Sequence, residues 1–188
     1  MGFFDALFGR SKIPAPKSDN LFTMSTAYIT LDASLNLTPI GAGICFKPMD
    51  VSKFKYAERE IQDLLYESCK ETGTMHHTKK DEHGYLWVTL YDSDFEDLVT
   101  TLFMVSETLT DHDFGERLLC AVFKFKNEAN SEVHWIYNFK RGTFYPFAPK
   151  GNKGRDESYE FRLKSIMEKE LPIEKEMGKW YPMWGIPI

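Results

Sequence analysis

Apolar residues recur along this chain with two different periods, and the period predicts the element. Phe54, Ala57, Ile61, Leu64 and Leu65 keep helical spacing after a cap at Asp50 or Ser52, and Gly73 ends that helix. Phe95, Leu98, Val99, Leu102, Phe103 and Leu109 repeat the pattern behind Ser93 and Glu96, which read as a capping box. Tyr159, Leu163, Ile166 and Met167 form a third helical stripe, capped by Asp156 and running to about Leu171. Elsewhere the period is two. Leu119, Ala121, Phe123 and Phe125 share one face of a strand, as do Val133, Trp135, Tyr137 and Phe139 of the next. A turn at 140–143 leads into a short strand at 144–147, which Pro146 confines to a sheet edge. Residues 74–79 and 85–91 read as a hairpin turning at 81–84. Residues 27–31 and 43–46 read as two strands joined by a loop that holds Pro39 and Gly41. The order ββα, ββα, βββα implies an α+β fold, an antiparallel sheet with helices mainly on one face.

The two ends differ from this middle. Phe4, Leu7 and Phe8 share one face of a short N-terminal helix with Phe3 beside it, and Arg10, Lys12 and Lys17 follow among Pro14 and Pro16. Residues 1–20 thus read as an amphipathic helix on a basic tether, and 21–188 as one α+β domain. The helix has two readings of equal weight: a contact with an anionic membrane surface, or docking on its own domain or on a sister subunit in a homo-oligomer. Ala6 stands where myristoylation wants Ser or Thr. At the other end, residues 179–188 hold too many aromatic side chains to be solvated throughout.

Charge adds one feature that periodicity does not show. The chain of 188 residues is 43% apolar and carries a net charge of −5. Residues 138–155 hold five cations, Lys140, Arg141, Lys150, Lys153 and Arg155, and no acid. Such a segment suits an anion or an acidic partner, while the acidic balance of the whole argues against general nucleic-acid binding. Residues 150–155 are Gly-rich, basic and run into a helix start, where free N–H groups favour an anion, but they lack the GxxxxGK[ST] spacing. His76, His77 and His83 straddle one hairpin, yet adjacent strand residues face opposite ways and no ligand spacing occurs, so no metal is expected. The acids between Asp92 and Glu116 suit a helix start and a solvated face. Cys45, Cys69 and Cys120 lie far apart, and Cys45 and Cys120, inside apolar runs, read as buried free thiols of a reducing cytosol. No nucleophile context, cofactor motif or membrane-spanning run appears, and the N-terminal apolar run is too short for a secretory signal.

Several pieces in order carry a resemblance. They are residues 1–10 (MGFFDALFGR), 24–28 (MSTAY), 41–46 (GAGICF), 83–87 (HGYLW), 94–98 (DFEDL), 134–137 (HWIY), 141–149 (RGTFYPFAP) and 180–184 (WYPMW). The set resembles the prokaryotic PspA-associated family called PspAB over nearly the full chain. The resemblance implies a place in the PspA envelope-stress system, a PspA-like protein as partner, and the membrane protease HtpX as a neighbour. It supplies no activity and no catalytic residues. The expectation is a non-enzymatic, cytoplasmic adaptor, peripheral at the inner face of the membrane, with Phe3, Phe4, Leu7 and Phe8 as one contact and the five cations as the other. The alternative is a small anion- or nucleotide-binding domain or hydrolase using residues 150–155 and His134. RNA binding by the same patch is a third reading.

Overall fold

The computed structural model describes residues 18–188. The N-terminal contact expected of Phe3, Phe4, Leu7 and Phe8 lies outside the described residues. After a 3-10 turn at Ser18–Phe22, the chain forms α1 (Thr23–Leu35), β1 (Thr38–Phe46), α2 (Ser52–Thr72), β2 (Met75–Lys80), β3 (Leu86–Tyr91) and α3 (Phe95–Asp111). Then follow β4 (Leu118–Lys126), β5 (Glu132–Asn138), β6 (Thr143–Phe147), the two-residue strands β7 (Pro149–Lys150) and β8 (Gly154–Arg155), and α4 (Glu157–Met167). The fold is α+β. Its six-stranded sheet has the order β2-β3-β1-β4-β5-β6, every neighbour antiparallel, and β7 pairs with β8 in a separate small hairpin.

The first expected strand departs from the sequence reading, and β7 and β8 are two short strands that it did not include. Residues 27–31 are not a strand but the middle of α1, so the described chain begins with a helix. Met24, Ala27, Leu31 and Leu35 are its buried positions, and that spacing of three and four is helical. β-formers such as Tyr28 and Ile29 disguise it in a short window. Pro39 and Gly41 do not make a loop either; they lie within β1, where the register with β4 shifts between them.

The caps are close to expectation with two shifts. Val51 stands at the start of α2 without a side-chain cap, because Asp50 instead pairs with Lys55 at 2.7 Å. Asp94, one residue after the expected Ser93, caps α3 by accepting the Glu96 N–H at 2.9 Å. Gly73 ends α2 with φ of 85°, a conformation glycine takes without steric cost.

The two faces of the sheet are covered differently. Ala42, Ile44, Val88, Leu90, Ala121, Phe123 and Trp135 share one face, against which α1, α2 and α3 pack: Phe95 lies 5.6 Å from Phe123, and Tyr28 6.3 Å from Phe125. The opposite face carries Cys45, Trp87, Cys120, Lys124, His134, Tyr145 and Phe147, and the irregular segment 180–188 crosses it. Trp184 meets Phe147 at 4.8 Å, and the Met183 sulfur lies 4.0 Å from the Cys120 thiol. Ile188 rests on Gly43, where any Cβ would come within 2.8 Å of its side chain. The aromatic tail is therefore packed across the sheet. α4 lies beside β6 and presents Glu160, Leu163 and Met167 inward.

Candidate partner-binding surfaces

The basic segment splits once it is folded. Arg141, in the turn after β5, donates from Nε and Nη2 to the buried Glu174 and from Nη2 to Glu176 at 3.0 Å. Burial pushes the Glu174 carboxyl up, but the Arg141 bonds, the Glu176 amide and the Thr143 hydroxyl outweigh it and hold the group below the usual carboxylate range. The same bonds, Glu174 first, raise Arg141. Arg155 donates from Nη2 to Glu160 at 2.6 Å and from Nη1 to the Trp180 carbonyl at 3.0 Å, with its guanidinium 5.7 Å over the Phe147 ring. Glu160 is 1% exposed, and its Oε1 also accepts the Ala148 N–H at 2.9 Å. Both arginines thus tie the tail and α4 to the β6 edge.

The lysines lie differently. Lys150 is largely exposed and meets Asp156 at 3.0 Å; that hydrogen bond, with the Tyr159 amide, lowers the Asp156 carboxyl. Lys153 is exposed at the tip of the turn with φ of 56°. Lys140 is half-buried in the turn before β6. The expected anion cradle at the start of α4 is already filled: Asp156 accepts the Tyr159 N–H at 3.1 Å with its own carboxylate. A groove of about 440 Å3 beside the turn is lined by Lys150, Asp156, Tyr159, Arg162 and Glu132. Arg162 is an exposed cation of this surface that the sequence reading missed, because it sits outside the basic segment on the solvent side of α4.

His134 does not reach this surface. It is 4% exposed on β5, opposite Lys124, and Glu132 Oε2 lies 3.6 Å from its Nε2, too far for a hydrogen bond. Burial first, and the Lys124 charge second, pull it down to about 4 against the opposing influence of Glu132. Lys124 itself bridges Glu132 at 2.9 Å and the Ile188 main-chain oxygen at 3.0 Å, so it pins the tail. His76 and His77 are adjacent on β2 and point to opposite faces, and among the described residues no group of His, Cys, Asp and Glu could hold a metal. Asp92 accepts the Thr74 hydroxyl and Asp94 serves as a cap, while Cys45, Cys69 and Cys120 are buried free thiols.

Among the described residues no helix is long and apolar enough to cross a membrane. The family model described as PspA associated protein B matches residues 1–188, the whole chain. The chain belongs to that family. Comparison with curated proteins and with solved structures gives no match.

Proposed function

We propose that this member of the PspA associated protein B family is a non-enzymatic accessory protein of a PspA-linked membrane-stress response, acting as an adaptor through protein contacts. The family match over residues 1–188 carries the reading, since association with PspA is what the family description states. The contact is assigned to the side of the molecule where Lys150 and Lys153 project beside the groove that Arg162 lines. Exposed cations of this kind steer an acidic partner more than they hold the fold. Arg155 holds the segment beside that surface to α4, whereas Lys140 and Arg141 lie at the opposite end of the β5–β6 hairpin. Residues 1–20 supply a second contact, with an anionic membrane surface at the inner face of the membrane, through Phe3, Phe4, Leu7 and Phe8.

Retention of the chain on an immobilised PspA-like protein tests the adaptor, with an HtpX-type protease as a second bait. Wild type is retained by the PspA-like bait, and Lys150→Glu/Lys153→Glu loses about tenfold or more while its Tm stays within a degree or two. A wild type that is not retained by either bait sinks the reading. Flotation with vesicles containing anionic lipid tests the membrane contact: wild type floats, and a chain starting at Asp19 does not. Equal flotation of the two contradicts that part alone. The phosphate- or nucleotide-hydrolase reading has less support, because Arg155 is engaged by Glu160, Asp156 occupies the helix start, and His134 lies under the tail.

A further inference from the structure

β2 ends the sheet on the side away from the basic segment. Its hydrogen-bond phase follows from two contacts. Asp81 donates its N–H to the Tyr85 carbonyl at 2.9 Å, and the Thr89 hydroxyl reaches the His77 carbonyl at 3.4 Å. In an antiparallel ladder this turns the main-chain groups of Met75, His77 and Lys79 toward β3, and those of His76, Thr78 and Lys80 outward. Among the described residues no strand lies beyond them. Every residue of β2 except His76 is exposed, and Met75 remains 63% exposed despite its apolar side chain.

We infer that the outer edge of β2 is a docking strand for an extended acidic segment of a partner protein, which adds to the sheet through His76, Thr78 and Lys80. The inference rests on the adaptor reading and names a second contact for it. Charge complementarity identifies the occupant. Lys79 and Lys80 are exposed and make no ion pair among the described residues, on a chain whose net charge is −5. Lysines on an edge strand disfavour pairing with a strand that leaves them uncompensated, so a strand that brings carboxylates is favoured over a neutral or basic one. A second copy of this chain fits worse: two-fold pairing about Thr78 sets each copy's Lys79 and Lys80 against the other's His77 and His76, without a carboxylate opposite them. Beside the lysines a cavity of about 570 Å3 opens between the hairpin and the tail, with Trp87, Pro182, Trp184 and Ile186 in its walls. A bulky apolar side chain of the incoming strand projects toward that cavity, because strand residues alternate between faces.

The test uses the full chain, isotope-labelled for amide NMR, and two fluorescent probes: an alternating Glu-Val peptide ending in Trp, and its Lys-Val counterpart. The acidic peptide should bind and shift the amides of His76, Thr78 and Lys80, while the basic peptide does not bind. Lys79→Glu/Lys80→Glu should weaken the acidic peptide at least about tenfold. Thr78→Pro, which removes an outward donor from an edge strand, should abolish binding with near-UV circular dichroism unchanged. No binding of the acidic peptide, undiminished binding in the charge-reversed variant, shifts centred elsewhere, or β2-mediated dimerisation of the chain each overturns the inference. The PspA-like bait separates the two proposals. Bait retained by wild type without peptide binding removes the docking strand alone; peptide binding without retention of the bait removes the adaptor assignment alone.

Discussion

At one edge of the sheet, β6 and the residue that follows it direct Phe144, Pro146 and Ala148 outward, and each of the three positions is closed. The Phe144 N–H goes to the Pro172 carbonyl at 2.8 Å and its carbonyl accepts from Glu174 at 2.8 Å, in a short parallel bridge to the tail. Pro146 has no N–H to leave open. The Ala148 N–H goes to Glu160, and its carbonyl accepts from Asp156 at 2.8 Å. At the other edge, β2 directs His76, Thr78 and Lys80 outward, and no strand covers them among the described residues. The closed edge consumes two of the five cations of the basic segment; the open edge holds two exposed lysines that make no ion pair among the described residues. The difference separates charge that builds the fold from charge that is available to a partner, a distinction net charge alone hides.

The largest effect should come from opening the closed edge. Arg155→Ala leaves the buried Glu160 carboxylate without its cation, and loss of one partner of a buried pair costs about 3–5 kcal/mol. Denaturant unfolding should show that loss, whereas Lys79→Ala at the open edge should stay within about 0.5 kcal/mol. Equal effects at the two edges would erase the contrast.

A second effect distinguishes the same side by pH. His134, cross-strand from Phe147, has a folded-state value of about 4 against 6.5 in the unfolded chain. The unfolded chain therefore binds more protons between those values, so the contribution is fully present above about pH 6.5 and is lost as pH falls toward about 4, by roughly 3 kcal/mol in total. His134 is faced by Lys124 from β4 and by Glu132 from its own strand. Glu174, held low by Arg141, adds its own loss only at more acid pH. His134→Gln should flatten the pH 6.5–4 slope of stability; an unchanged slope would place that titration elsewhere.

Much of this architecture is legible in the sequence, because long stripes of one period dominate it. The stripe from Phe95 to Leu109 and the alternation from Leu119 to Phe139 predict α3, β4 and β5 without help from tertiary contacts, and Pro146 predicts an edge. The helix α1 is not legible in the window 27–31, since its stripe shows only when Met24 and Leu35 are included. The division of the basic segment is not legible either. Glu160, Glu174 and Glu176 lie between 5 and 35 residues from the arginines they engage, and nothing in their local pattern marks Glu160 and Glu174 as buried. What sequence shows as one patch of five cations becomes, through those carboxylates, two clamps and a set of surface lysines. The open edge was within reach: hairpin alternation fixes β2 beside β3, and Lys79 and Lys80 are the charges that edge strands carry.

Hydrogen exchange at single-residue resolution tests the contrast between the edges most directly. In the chain alone, the outward amides of His76, Thr78 and Lys80 should exchange fast, while those of Phe144 and Ala148 should be protected nearly to the global stability of the fold. Adding the acidic Glu-Val peptide should slow the three β2 amides and leave Phe144 and Ala148 unchanged. Protection at β2 equal to that at β6 in the chain alone, or β2 amides indifferent to the peptide, would contradict an open edge built for a partner.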